Sequence, residues 1–317
     1  MPGACAECGT PATQKCQKCG TPYCKRECQV TAWPMHKYTC SAKVTIKESS
    51  PGHGNGVFAC KAFEIGDELH SEKPLVVFEN GCGPDAISHV IEALPDNKKK
   101  VVMGFTDAHS PPNEPTAYGL AHTNSIPLGF SNSRSPSTKV GIFPIACRMN
   151  HACKPNARYI WNAAAGCEKI IAMRPIAADE EVTVCYTGSY KPRSERRSEL
   201  ARQFKFECMC TACETPSDES DARLAKIQEL IDQVPVVGYA NQRQALMMSE
   251  NCLRLMKQEG VDTPLDLGTI HYDAYQMALS SGNRSKAISH IRSALWCGRK
   301  SGDDDAVAKY VARLNDL

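Results

Sequence analysis

Seven cysteines and one histidine fall within the first 40 residues, at spacings that leave little freedom in how that segment folds. Cys5 and Cys8 form one Cys-x2-Cys pair, and Cys16 and Cys19 form another; Cys24, Cys28, His36 and Cys40 follow. A Cys-x2-Cys turn presents two thiolates to one tetrahedral ion. Eight ligands make two four-coordinate sites, and a segment of about 40 residues is too small to bury a core of its own, so metal replaces it. Interleaved pairing is expected: Cys5, Cys8, Cys24 and Cys28 on one zinc, and Cys16, Cys19, His36 and Cys40 on the other. The whole chain has 18 cysteines, for which disulfides are the competing explanation. The start, Met1-Pro2-Gly3-Ala4-Cys5, has neither the basic flank nor the apolar stretch of a secretory signal. A cytoplasmic or nuclear chain is expected, not a secreted one, and disulfides are rare in those compartments.

The remaining composition excludes more than it selects. Apolar residues are 42% and charged residues 23% of the 317, values of an ordinary globular chain and not of a disordered one. The length suits two or three domains. No apolar run approaches the roughly 18 residues of a membrane span. A formal charge of +2 gives no global argument for nucleic acid or an anionic membrane. The N-terminal segment is locally basic, with Lys15, Lys18, Lys25, Arg26, Lys37, Lys43 and Lys47 against Glu7, Glu27 and Glu48. Zinc-bound thiolates cancel much of that charge, so nucleic-acid binding by it is only weakly supported.

From Val44 to Glu79 the chain reads as short strands: Val44 and Ile46 alternate with polar residues, and Gly56–Ala59 and Leu75–Phe78 follow. Pro51-Gly52-His53-Gly54-Asn55-Gly56 lies between them, with three glycines that permit close backbone approach to a ligand. Ala86–Leu94 and Asn97–Phe105 read as short helices. Pro111, Pro112 and Pro115 mark a surface loop. Strand is expected again near Asn124–Leu128, and Ser131–Lys139 reads as an exposed hairpin tip.

Five patterns carry a family resemblance. The segment from 5 to 40, with Gln29, Trp33 and the closing His36-Lys37-x2-Cys40, resembles a MYND zinc finger. Gly54-Asn55-Gly56-Val57-Phe58-Ala59, Asn150-His151-Ala152-Cys153-Lys154-Pro155-Asn156, Glu181-Val182-Thr183-Val184-Cys185-Tyr186 and Phe206-Glu207-Cys208-Met209-Cys210-Thr211-Ala212-Cys213 resemble, in that order, the motifs of a SET domain and its cysteine-rich post-SET segment. Together they resemble the SET and MYND domain group of protein-lysine methyltransferases. Ala152 stands where serine is usual in that group and Asn55 where arginine is more frequent. His53 stands where a basic residue is usual. The finger also precedes the glycine loop instead of being inserted within the SET domain, and the region between 80 and 140 is short.

The resemblance implies an α+β multidomain chain: a MYND finger over 1–43, a β-rich SET domain over 44–190, a zinc-bound post-SET segment over 191–216 and an all-α, tetratricopeptide-like domain over 217–317. It implies S-adenosylmethionine as cofactor and a protein lysine as substrate. Tyr186 is then the catalytic residue, its hydroxyl beside the transferred methyl. Asn150 and His151, the latter partly through its backbone, hold the ends of the cofactor; Gly54, Asn55 and Gly56 line its methionine part. Asn124 bonds its carboxylate or amine, Phe206 stacks on its adenine, and Phe204 with Tyr186 walls the lysine channel. Cys208, Cys210 and Cys213 need a fourth ligand, which by resemblance is Cys153, giving three zincs in all. With these loaded the formal charge becomes about −3. The finger of this group binds proline-containing peptides, for which Trp33 and Tyr23 would be aromatic walls unless both pack the finger's core. A monomer is expected. A non-catalytic adaptor that recruits Pro-rich partners is the rival reading, and the intact Tyr186, Asn150, His151 and glycine loop weigh against it.

Cys60, Cys82, Cys147, Cys167, Cys185, Cys252 and Cys297 show no ligand spacing and are expected to be buried as small apolar residues. Beyond Pro216, Leu224, Ile227 and Ile231, and again Ile288, Ile291 and Leu295, follow helical periodicity, with Gly260, Gly282 and Gly302 as helix breaks.

Overall fold

The computed structural model describes residues 4–40, 43–49, 54–111, 114–129, 137–188, 190–215 and 217–317. His53 and the start of the glycine loop, Pro112, Pro216 and most of the expected hairpin tip lie outside the described residues.

The finger begins with two knuckles. Gly9 N bonds Cys5 O at 2.9 Å and Gly20 N bonds Cys16 O at 2.8 Å, each glycine at a positive φ of 74° or 79°. A side chain there would be strained, so the chain can close each turn with both thiolates on one side. Strands β1 (Gln14–Lys15) and β2 (Pro22–Tyr23) pair antiparallel and lead to helix α1 (Arg26–Thr39). The two candidate aromatic walls behave differently. Tyr23 is 1% exposed and packs against the cysteines, with its ring edge-on to His36, whereas Trp33 is 47% exposed.

The central region is built from β3 (Val44–Glu48), β4 (Asn55–Ala59), β5 (Glu68–Glu72) and β6 (Val76–Glu79), then helices α2 (Pro84–Glu92), α3 (Asp96–Val102) and α4 (Ala117–Asn124). Strands β7 (Ile126–Pro127), β8 (Lys139–Ile142), β9 (Asn150–His151), β10 (Ala157–Asn162), β11 (Cys167–Ala172) and β12 (Glu181–Val184) complete it. They form three small sheets, ordered β10-β11-β5, β3-β4-β12-β9 and β6-β8-β7. One core lies between the first two sheets and reaches β7 at Ile126, with Val57, Leu69, Phe143, Ile145, Met149, Ile170 and Val182 buried; the buried residues of β6 and β8 pack instead with α2, α3 and α4, around Phe78, Ile91, Val102, Leu120 and Ile142. In the second sheet β12 is antiparallel to β4 but parallel to β9, with Thr183 opposite Asn150 and Val184 opposite His151. That single sheet therefore sets the glycine loop, the Asn150-His151 pair and the approach to Tyr186 side by side.

Two elements differ from the sequence expectation. Asn124 ends helix α4 and does not begin a strand; β7 starts two residues later. The helix is set by its cap, because Thr116 Oγ1 accepts from Gly119 N at 2.9 Å, which satisfies an end amide. Asp107 in turn accepts from the amides of His109, Ser110 and Thr116. These bonds overcome the burial of its carboxyl and hold it down at about 2. Strand β5, Glu-Leu-His-Ser-Glu, has too little apolar character to announce itself. Of the seven cysteines outside the ligand sets, Cys252 and Cys297 are buried, while Cys60 is exposed.

Helices α5 (Arg193–Phe204) and α6 (Thr211–Glu214) follow, with Cys208 and Cys210 in the connection between them and Cys213 on α6. Helices α7 (Asp218–Ala240), α8 (Gln242–Glu259), α9 (Pro264–Ser280), α10 (Arg284–Ser301) and α11 (Asp304–Asn315) follow, each joined to the next by a short connection. Gly260 and Gly302 cap α8 and α10 in the left-handed region, as the sequence breaks predict. These helices dock on the central sheets through polar contacts. Arg158 on β10 meets Asp266 at 2.9 Å, and Lys169 on β11 meets Asp304 at 3.1 Å.

Glu259 is the most committed of these contacts. Its side chain is 2% exposed and accepts from Ser220 Oγ at 2.5 Å and Arg223 Nε at 2.8 Å, with Lys154 Nζ 3.1 Å away. Burial alone pushes its carboxyl up, but these donors outweigh it and hold the group below its usual value. Stability from Glu259 is therefore present above the unfolded value near 4.5 and lost as pH falls below it. Glu259→Ala is expected to cost about 2 kcal/mol at neutral pH in urea unfolding, because it removes the charged acceptor of the Ser220 and Arg223 hydrogen bonds, and the cost should shrink on acidification.

Candidate active site

Three groups of ligand atoms converge in the fold, each within 4.8 Å of one another: Cys5, Cys8, Cys24 and Cys28; Cys16, Cys19, His36 and Cys40; and Cys153, Cys208, Cys210 and Cys213. Within the first group Cys8, Cys24 and Cys28 sulfurs lie 3.5–3.8 Å apart. In the second Cys16 and Cys40 lie 3.7 Å apart, with Cys19 3.5 Å from His36 Nε2. In the third Cys153 is 3.5 Å from Cys213 and 4.0 Å from Cys208. A tetrahedron with zinc–sulfur bonds of about 2.3 Å has sulfur–sulfur edges of about 3.8 Å. All three groups fit zinc, and the ligand sets are those expected from the sequence.

The third group carries the site. It gathers the Asn150–Asn156 turn and the post-SET segment around a small core of Cys153, Leu200, Cys208 and Cys213, on which Tyr186, Phe204 and Phe206 pack. Lys205, between the two phenylalanines, sits at φ 59°. Tyr186 lies 4.8 Å from Phe204 and 6.5 Å, edge-on, from Phe206. His151 lies 5.3 Å from Tyr186 and 6.2 Å from Phe206.

The polar atoms of this cluster are held firmly. Tyr186 O–H donates to Met149 O at 2.5 Å. Burial pushes its phenol well above the ordinary range, so it stays a donor at neutral pH. His151 Nδ1 accepts the Tyr186 N–H at 3.0 Å, which fixes the ring proton on Nε2, 3.3 Å from Cys153 sulfur. Burial drops its imidazole to about 4, leaving it neutral. Asn150 Nδ2 donates to Glu181 Oε1 at 2.7 Å and, at 3.5 Å, to Asn55 O. The amide therefore presents Oδ1. Gly54 has φ +66°, and a Cβ on Gly56 would lie 2.1 Å from Glu181 Oε1 and 3.1 Å from Asn150 Nδ2. Only glycine lets the loop close this near to Asn150.

Asn124 is placed differently from the rest. Its Nδ2 donates to Thr106 O and Leu120 O at 2.8 and 2.7 Å, so both amide hydrogens are used within the chain. Its carbonyl accepts from Cys147 sulfur at 3.0 Å, beside the segment that leads to Asn150.

Several residues here were not singled out from the sequence. Glu181, bonded also by Ser49 Oγ at 2.9 Å, anchors Asn150; being the first residue of the Glu-Val-Thr-Val-Cys-Tyr motif was its only signal. Asn156, 1% exposed, donates to Glu181 O at 2.8 Å and accepts from Thr183 N at 2.8 Å, so the turn is stitched to β12. Arg196 is 3% exposed; Nη1 donates to Lys191 O, and against burial the nearby Cys153 and Cys213 thiols raise its guanidinium above the usual value. A tetrathiolate zinc site carries about −2, and Arg196 offsets part of it from within the protein. Arg196→Met should release the third zinc to a chelator at least about tenfold faster, the usual scale for losing such a partner. Release from the two finger sites should be unchanged.

The sequence profile of the SET domain matches residues 54–187, and that of the MYND finger matches residues 5–40. The chain carries a MYND finger followed by a SET domain. It is 29% identical over 228 residues to human histone-lysine N-methyltransferase SMYD3, covering 67% of this chain and 51% of that protein. The chicken N-lysine methyltransferase SMYD2 is 27% identical, with 69% and 51% covered. Fission-yeast histone-lysine N-methyltransferase set5 is 26% identical over 273 residues, covering 82% of this chain and 81% of its own length. The chain thus spans about half the length of the SMYD relatives. Among the described residues no helix is long and apolar enough to cross a membrane.

Proposed function

We propose that the chain is an S-adenosylmethionine-dependent protein-lysine N-methyltransferase, made of a finger over 1–43, a SET domain over 44–190, a post-SET segment over 191–216 and a helical domain over 217–317. The observation that carries this reading is the meeting of the glycine loop, Asn150, His151, Tyr186 and Phe206 around one cysteine cluster. The residues fit the cofactor: Gly56 leaves the loop open against Asn150, Asn150 presents an acceptor suited to an ammonium group, and Phe206 offers an apolar face. When bound, S-adenosylmethionine supplies an electrophilic methyl on a sulfonium.

The chain's own residues do the rest. Tyr186 and Phe204 form an aromatic wall that strips water from an entering lysine, which lowers its pKa and favours the neutral amine. Tyr186 keeps its proton and is tied to Met149 O, so it orients the amine and is not its base. Alignment of amine and methyl is the main catalytic effect, worth several kcal/mol.

The finger is proposed as a docking surface for proline-containing peptides on α1, where Val30 and Trp33 are exposed. Tyr23 takes no part, because it is buried. Methyl transfer is tested with labelled S-adenosylmethionine on a mixture of histones and cell protein, followed by identification of the labelled side chain. Label on lysine supports the reading. Cofactor binding by folded, zinc-loaded protein with no label transferred would favour the adaptor.

A further inference from the structure

Behind the Tyr186 site lies a second set of buried acids that the methyl-transfer reading does not use. On the β10-β11-β5 sheet, Trp161 is opposite Glu168, and Glu168 is opposite Glu72. The three form one row on one face. Glu168 is 1% exposed and Glu72 8%. Directly opposed residues have Cβ atoms about 5 Å apart, and two carboxylates this close and this dry cannot both be ionised.

The two differ in their hydrogen-bond partners. Glu72 accepts from Ile145 N at 2.9 Å and Ala146 N at 2.7 Å, and His70 Nε2 lies 3.2 Å away. Arg148, whose guanidinium sits 4.4 Å over the Phe105 ring, also lies within Coulomb range of Glu72. Glu168 has none of these donors, and its Oε2 is buried without a hydrogen-bond partner. The other titratable groups facing the pair are Tyr159 and Cys147, both of which stay neutral through burial and supply no compensating charge.

We propose that Glu168 is a neutral, proton-holding acid at physiological pH, and that with Glu72 it positions the segment from Ile145 to Met149 on which Tyr186 rests. The link runs through named bonds. Glu72 fixes the amides of Ile145 and Ala146, Ala146 O accepts from Tyr159 O–H at 2.9 Å, and Met149 O accepts from Tyr186. Ionised Glu168 would push on Glu72 and loosen that hold. Glu168 is a positioning residue; it touches neither cofactor nor substrate.

Burial, and then repulsion from Glu72, moves the Glu168 carboxyl up to about 8 from 4.5. The fold therefore holds a proton that the unfolded chain gives up. Its contribution is fully present below 4.5 and lost as pH rises to about 8.

The test is urea unfolding of zinc-loaded wild type and Glu168→Gln. From about pH 6 to about pH 8 the wild-type unfolding constant should rise roughly fifty-fold more than that of the variant. Equal slopes overturn the proposal. A second measurement needs no variant: wild type should show a protonated-carboxyl infrared band at neutral pH that fades as pH rises through about 8, and its absence also overturns the proposal. The consequence for transfer rests on the methyltransferase reading, and wild-type turnover relative to Glu168→Gln should fall above that pH. Unequal unfolding slopes with no turnover in either protein would keep the acid pair and discard the enzyme.

Discussion

Tyr186→Phe is expected to bind S-adenosylmethionine within about threefold of wild type while methyl transfer falls about 100-fold or more, the scale of a lost positioning and hydrogen-bonding group. The phenyl ring keeps its packing on Phe204, Phe206 and His151, so the cofactor side of the pocket is undisturbed. What disappears is the one hydroxyl donated to Met149 O. Because burial holds that phenol well above its ordinary range, the loss is of orientation and not of a base. The pH profile of the residual activity should therefore keep the wild-type shape. Wild-type turnover in the variant would remove the role given to Tyr186.

Loss of the third zinc should have the larger structural effect. Cys153, Cys208 and Cys213 are themselves the buried core of the post-SET segment, joined among the described residues by Leu200. Without metal, nothing of comparable size holds Phe204 and Phe206 against Tyr186. Cys210→Ser should contain two zincs by elemental analysis instead of three, bind S-adenosylmethionine at least about tenfold more weakly, and show no transfer. The β-sheet far-ultraviolet signal should persist, because the central sheets rest on separate cores. Three zincs in Cys210→Ser, with unaltered binding, would contradict the ligand assignment.

What the sequence discloses follows from how local each signal is. The two finger sites are legible because a Cys-x2-Cys spacing is itself a chelating geometry. Cys153 lies 55 residues from Cys208, and no spacing rule connects them; only the family resemblance does. Asn150, His151 and Tyr186 were readable as motifs, but Glu181 and Ser49, which hold Asn150, were not, since a single acid on a strand usually faces water. Glu72 and Glu168 escaped for the same reason. Polar alternation in β5 suggests a solvent face, and Glu68 is indeed exposed; only the end of that face is buried, at Glu72 opposite Glu168. Asn124 was misplaced because Ser-Ile-Pro-Leu looks extended, while the helix before it depends on Thr116 and Asp107, residues that propensity alone does not join.

The most direct test of the account is calorimetric titration of the zinc-loaded protein with S-adenosylmethionine, beside Asn150→Ala. The account predicts one binding site per chain, weakened about tenfold or more in the variant, since Asn150 donates Nδ2 to the glycine loop at Asn55 O and keeps Oδ1 as the acceptor proposed for the cofactor. No binding by folded protein holding three zincs, or equal binding by wild type and Asn150→Ala, would contradict it.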